Sequence, residues 1–187
     1  MTLLVTGMLM WSVVHLFPAV ATGPRNNLVN KIGLGPYKGG FALLIVISIV
    51  VMIFGWRSFE PVDIYFPPVW GKHVTYLLVL LTFILFFAAK RKTNIKRILR
   101  HPQLTGLVLW SIGHLFANGD NRSLVLFIGL GLWAILEMTM INWRTGAWVK
   151  PEPVPVKSDV ITVAGGLVLF AILLLAHPYL TGVRLIS

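Results

Sequence analysis

The chain has 187 residues, of which 57% are hydrophobic and only 12% charged, with no cysteine and a formal net charge of +10. That balance is too apolar for a soluble domain, and the missing thiols exclude disulfides, iron–sulfur clusters and thiolate metal ligands. The cations are spread over several loops instead of gathered on one soluble surface, which argues for the lipid bilayer as a partner and against nucleic acid.

A spanning helix needs roughly 20 mostly apolar residues, and six segments approach or meet that length. They run from about Leu3 to Ala21, Gly39 to Trp56, His73 to Ala89, Pro102 to Ala117, Leu124 to Ile141 and Val160 to Leu180. The expected fold is therefore all-α, a polytopic membrane bundle of six transmembrane helices forming a single domain over 1–187. The first segment ends in Ala19-Val20-Ala21, which resembles a signal-peptidase site, but no basic residue precedes it and Arg25 follows closely, so it is expected to be retained. After the third comes the cationic stretch Lys90 to Arg100, whose apolar members Ile95, Ile98 and Leu99 suit it to the membrane interface. Pro151-Glu152-Pro153-Val154-Pro155 predicts a stiff extended link into the sixth segment.

In this scheme alternate loops differ in charge. Arg25, Lys31, Lys38, Lys90, Arg91, Lys92, Lys96, Arg97, Arg100, Arg144, Lys150 and Lys157 fall on one side, leaving Arg57, Lys72, Arg122 and Arg184 for the other. The positive-inside rule makes the first side cytoplasmic and both termini periplasmic, as expected for a multi-pass protein of a bacterial inner membrane.

The most informative motif occurs twice. Thr6-Gly7-x-x-x-Trp11-Ser12-x-x-His15-Leu16-Phe17 in the first segment is matched by Thr105-Gly106-x-x-x-Trp110-Ser111-x-x-His114-Leu115-Phe116 in the fourth. Three segments separate the copies, so they would point in opposite directions, as in an inverted 3+3 duplication. Convergent packing of two helices is the alternative, since the other segments do not align.

Histidine is costly inside a membrane and tends to mark a site. His101 and His114 are roughly 20 Å apart along one helix and offset by about 140°, so they cannot share a metal through it. By depth, His15 and His101 form an inner pair, while His73, His114 and His177 form an outer group. In both copies of the motif a Trp lies one turn before the His and a Ser three residues before it, on nearly the same face. Trp11 can cover a planar cofactor and the Ser can hydrogen-bond the imidazole, although aromatic packing alone also explains the spacing. Glu137 is the only carboxylate within a predicted span, with His15, His101, Arg100 and Arg144 as candidate partners at its depth. It can orient a histidine, relay a proton or form a structural ion pair.

Arg100-His101-Pro102-Gln103-Leu104-Thr105-Gly106, followed by Trp110, His114-Leu115 and Ala117-Asn118-Gly119, resembles the NnrU family of bacterial membrane proteins. His15, Arg25 and Pro67-Pro68-x-Trp70-x-x-His73 reinforce the likeness over nearly the full length. The resemblance implies a link to nitric oxide and denitrification, and kinship with the haem-dependent zeta-carotene isomerases that act on a lipophilic polyene. It implies haem b, with His15 and His101 serving the iron and His73 and His114 as the outer alternatives. Trp11, Arg25, Arg100, Glu137 and Arg144 are the expected supporting residues, the arginines as partners for propionates. The chain has no cysteine to act as an exchangeable ligand. The Arg-His-Pro-x-x-x-Gly core also resembles membrane methyltransferases that bind S-adenosylmethionine, without their downstream Glu-Glu pair. A non-enzymatic assembly factor for a respiratory complex is the third reading.

Overall fold

The computed structural model describes residues 1–185. Among them the regular structure is helical: α1 Thr2–Val20, α2 Thr22–Ile32, α3 Leu34–Arg57, α4 Gly71–Ala89, α5 Pro102–Leu115, α6 Asn121–Thr145 and α7 Val156–Thr181, with a short 3-10 turn at Asn94–Arg97. Five of these, α1, α3, α4, α6 and α7, are long and apolar enough to cross a membrane. The six-span expectation is met by length only in those five. Helix α5 has 14 residues, roughly 21 Å at 1.5 Å per residue, against a hydrocarbon core of about 30 Å.

Helix α2 lies between the first two predicted segments, where no helix is expected, and α3 begins at Leu34, ahead of the expected Gly39. The α2 sequence carries no apolar stripe, and Pro24 is tolerated because the first turn has no intrahelical N–H bond to lose. It is held by its ends, which continue directly into α1 and α3, and it packs against both.

The helices stand in a row, α3–α1–α6–α5–α4–α7, each packed against its neighbours in that order. The contacts fix their directions. Leu4 meets Gly55 and Gly7 meets Met52, so α1 and α3 are antiparallel, whereas Met8 meets Gly129 and Arg144 reaches Pro18, so α1 and α6 are parallel. Thr75 and Thr82 of α4 donate to the carbonyls of Gly113 and Gly106 at 2.7 and 2.9 Å, possible because neither glycine carries a side chain to shield its carbonyl. Phe87 and Ile84 lie against Gly165 and Gly166. Helices α1, α4 and α6 thus run one way and α3, α5 and α7 the other. Small residues permit this close approach, which replaces the hydrophobic drive that lipid does not supply between helices.

One end collects the loops that carry the twelve cations named above. The other is closed by the 58–70 segment, which folds over the α5–α6 turn. Ile64 N donates to Gly119 O at 2.8 Å and Asn121 N to Val62 O at 3.0 Å. Asp120 caps α6 by accepting from the backbone nitrogens of Arg122 and Ser123, both at 3.1 Å. The Tyr65 hydroxyl donates to Leu115 O and, at 2.9 Å, to Asn118 O, satisfying carbonyls that the end of so short a helix would leave open. The Pro-rich stretch 151–155 has no helical structure, in line with the extended link expected there.

Candidate functional site

Both copies of the repeated motif fold into the same local geometry. In α1 the His15 Nδ1–H donates to the Trp11 carbonyl at 3.0 Å, and in α5 the His114 Nδ1–H donates to the Trp110 carbonyl at 2.8 Å. A carbonyl can only accept, so each imidazole is fixed as the Nδ1–H tautomer with the Nε2 lone pair free. The serines do not perform the role expected of them. Ser12 donates to Met8 O at 2.9 Å, and the Ser111 hydroxyl is buried without a partner. The carbonyl one turn back lies closer to the ring along the helix and takes the hydrogen bond instead.

Each pair then meets an aromatic residue of α6. Trp11 and His15 lie 4.1 Å apart by ring centroid and face Trp133 at 5.7 and 5.0 Å. Trp110 and His114 lie 4.4 Å apart and face Phe127 at 5.0 and 4.7 Å. The six-residue step from Phe127 to Trp133 places the two sites roughly 9 Å apart along α6.

The α1 site is the richer in unspent chemistry. Phe41 of α3 stands 5.6 Å from His15, with Tyr37 one turn further and the Arg25 guanidinium 5.4 Å above the Tyr37 ring. On α6, Trp133, Glu137 and Arg144 fall within about 40° of one another at 100° per residue, so they form one stripe facing α1. Trp133 is only 7% exposed, yet its indole N–H has no acceptor; nor has the Trp11 N–H, and one Glu137 oxygen and the Tyr37 hydroxyl are buried without partners. Buried polar groups are normally satisfied, and here donors and an acceptor are left open on the elements that surround one imidazole. Arg144 donates to Pro18 O at 2.6 Å and is the charged neighbour that acts on Glu137.

His101 lies at the same end but on another face of α6. Its Nε2–H donates to Asn142 Oδ1 at 2.8 Å, leaving Nδ1 as the free nitrogen. Arg100 donates to Gly146 O at 2.9 Å and Thr145 Oγ1 at 2.6 Å. The α6 residues that meet α5, Met138 and Asn142, are offset by about 140° to 180° from Trp133, so Glu137 turns towards the His15 side. Among the described residues no three histidine or carboxylate side chains converge on a common point. At the opposite end His73 is exposed on the first turn of α4, and His177 donates from Nδ1 to Val183 O at 3.0 Å within electrostatic reach of His114.

Sequence reasoning missed Phe41, Tyr37 and Trp133. Trp133 had a readable signal, a tryptophan one helical turn from the lone intramembrane carboxylate. The two α3 residues had none, because only the folded chain brings them to His15.

No curated protein and no solved structure matches the chain. The family model described as NnrU protein matches residues 3–185, nearly the whole of the helical row and every residue of the His15 cluster, and the chain belongs to that family.

Proposed function

We propose that this is a haem b protein of a bacterial inner membrane, crossing it six times, with α5 as a short sixth crossing and both termini periplasmic. His15 is its primary iron ligand; His101, at the same end but on another face of α6 with its Nε2–H held by Asn142, is the candidate for a second. The observation that carries this reading is the His15 imidazole itself. Its Nδ1–H is anchored on a backbone carbonyl and its Nε2 is free, the state in which proteins present histidine to iron. The unpartnered Trp11 and Trp133 N–H groups fit the same reading, since both are donors that an acid-bearing cofactor would satisfy. Arg25, Arg144 and Arg100 supply cations for propionates at the basic end, and Glu137 supplies a proton-exchanging group beside the ligand.

Bound haem would supply an iron that takes nitric oxide or drives cis–trans rotation in a lipophilic polyene. The chain's residues would hold it against Trp11 and Trp133 and keep its polar edge at the basic end. The internal likeness of α1 and α5 fits descent by inverted duplication, with the local His–Trp element surviving in both halves.

The test is to purify the protein in mild detergent from haem-replete cells and record oxidised and reduced spectra with a pyridine haemochrome assay. A b-type spectrum that is lost in His15→Ala and shifted in His101→Ala is expected. A colourless protein overturns the reading, and one that then binds S-adenosylmethionine moves the Arg100–Gly106 motif to methyl transfer. A spectrum altered only by His73→Ala or His114→Ala moves the iron to the other end.

A further inference from the structure

The basic end contains a second arrangement that the haem reading does not use. The segment after α4 is clamped to the start of α7 by one carboxylate: Asp159 Oδ1 accepts from the Thr93 hydroxyl at 2.5 Å and the Asn94 nitrogen at 2.7 Å, and Oδ2 from Asn94 Nδ2 at 2.6 Å. Asn94 further exchanges two bonds with Val154, and Ser158 donates to Lys92 O. The 3-10 turn Asn94–Arg97 is thus a rigid platform between α4 and α7, and Thr93 at its head is only 4% exposed.

The platform presents cations without counterions. The other arginines of this end have protein acceptors: Arg25 on Asn26, Arg100 on Thr145 and Gly146, Arg144 on Pro18. Lys96 is likewise spent on Ala89 O at 2.8 Å. Arg91 and Arg97 make no side-chain hydrogen bond or ion pair among the described residues, and the Nε of each is buried without an acceptor. Asp159, the carboxylate built into this corner, has both oxygens committed to Thr93 and Asn94. Lys90 and Lys92 add two exposed charges beside them. The Arg91 guanidinium stands 5.9 Å from the Phe87 ring, and that ring packs on Gly165, so Arg91 sits at the head of the apolar seam between α4 and α7, with Arg97 on the turn that bridges the same two helices.

We infer that this corner is a binding site for an anionic phospholipid, its phosphate held by Arg91 and Arg97 and its acyl chains laid along the α4–α7 seam. Guanidinium is the group best suited to phosphate oxygens, and an interfacial arginine attracts anionic headgroups over about a Debye length. A free anion could satisfy the two arginines equally well but has no use for the seam beneath them, which is why the lipid is the occupant assigned.

The delipidated protein in neutral detergent would be heated in the presence of phosphatidylglycerol, phosphatidylcholine or inorganic phosphate. Phosphatidylglycerol should raise the unfolding midpoint by roughly 5 °C, while the other two leave it unchanged. The double variant Arg91→Gln/Arg97→Gln should lose that shift and Arg57→Gln, at the opposite end, should keep it. Native mass spectrometry of the unaltered protein gives a reading independent of variant folding: phosphatidylglycerol should be retained in preference to phosphatidylcholine and released by salt. An equal shift with inorganic phosphate, equal retention of both lipids, or a shift that survives in the double variant overturns the assignment.

Discussion

Replacing Gly55 by alanine tests the geometry on which the His15 site depends. A Cβ at this position would lie 2.3 Å from the Leu4 nitrogen and 2.7 Å from its Cα, against 3.4 Å for the near edge of ordinary contact. The shortfall is about 1.1 Å, and because the obstructing atoms are backbone, no side-chain rotation relieves it. Helix α1 must move bodily away from α3, loosening Leu4, which is 1% exposed, and changing how Phe41 meets His15. Overpacking of this kind costs roughly 1–3 kcal/mol, offset by up to about 1 kcal/mol from the better helix propensity of alanine. Gly39 is the matched control, on the same helix with no atom within 4 Å of the place a Cβ would take, and Gly39→Ala should be neutral or stabilising. Because the propensity gain is common to both, the two variants should differ by the overpacking cost alone, about 1–3 kcal/mol, in reversible unfolding in mixed detergent micelles, followed by circular dichroism. If they unfold within about 0.5 kcal/mol of each other, well below the overpacking range, α1 and α3 do not meet as described and the cluster built on them falls.

Three further outcomes are expected. Tyr65→Phe removes the hydroxyl that closes α5 and should cost about 1 kcal/mol, seen as faster amide exchange at 113–118. Burial first, and the Asp120 charge second, push the Tyr65 phenol above its ordinary value. Its neutral form is favoured by folding, so its contribution is complete below about pH 10 and is lost as pH rises through the folded-state value; the alkaline end of the stability profile should flatten in Tyr65→Phe. Asp159→Ala should free the 90–101 segment, read as new protease cleavage between Lys90 and Arg100 without loss of overall helicity by circular dichroism. If haem binds as proposed, Glu137→Gln should retain it while changing the pH dependence of its spectrum, and an unchanged dependence would remove Glu137 from the proposed site.

What the sequence disclosed was whatever periodicity and hydropathy record. The five long spans agree with their predicted limits to within a few residues at most ends, because an apolar run has few alternatives to a membrane helix. Helix α2 escaped notice because its polar composition carries no stripe, and only attachment to α1 and α3 keeps it helical. The repeat announced two His–Trp elements, and both fold alike, yet the hydrogen-bond partner was misread: the spacing offered a serine, while the helix supplies a carbonyl. Depth grouped His15 with His101 correctly as to which end of the molecule each occupies. It carried no azimuthal information, so it did not reveal that α6 stands between them with a different face towards each.

The row in which the helices stand leaves every one of them with a flank against lipid. A closed bundle screens its interior and must open a gate to admit a hydrophobic compound. In a palisade one helix thick, a molecule already dissolved in the bilayer reaches the seam between α1 and α6 sideways, without passing through water or waiting for a domain to move. For the lipophilic polyene proposed above, delivery would then be a matter of diffusion in the plane of the membrane.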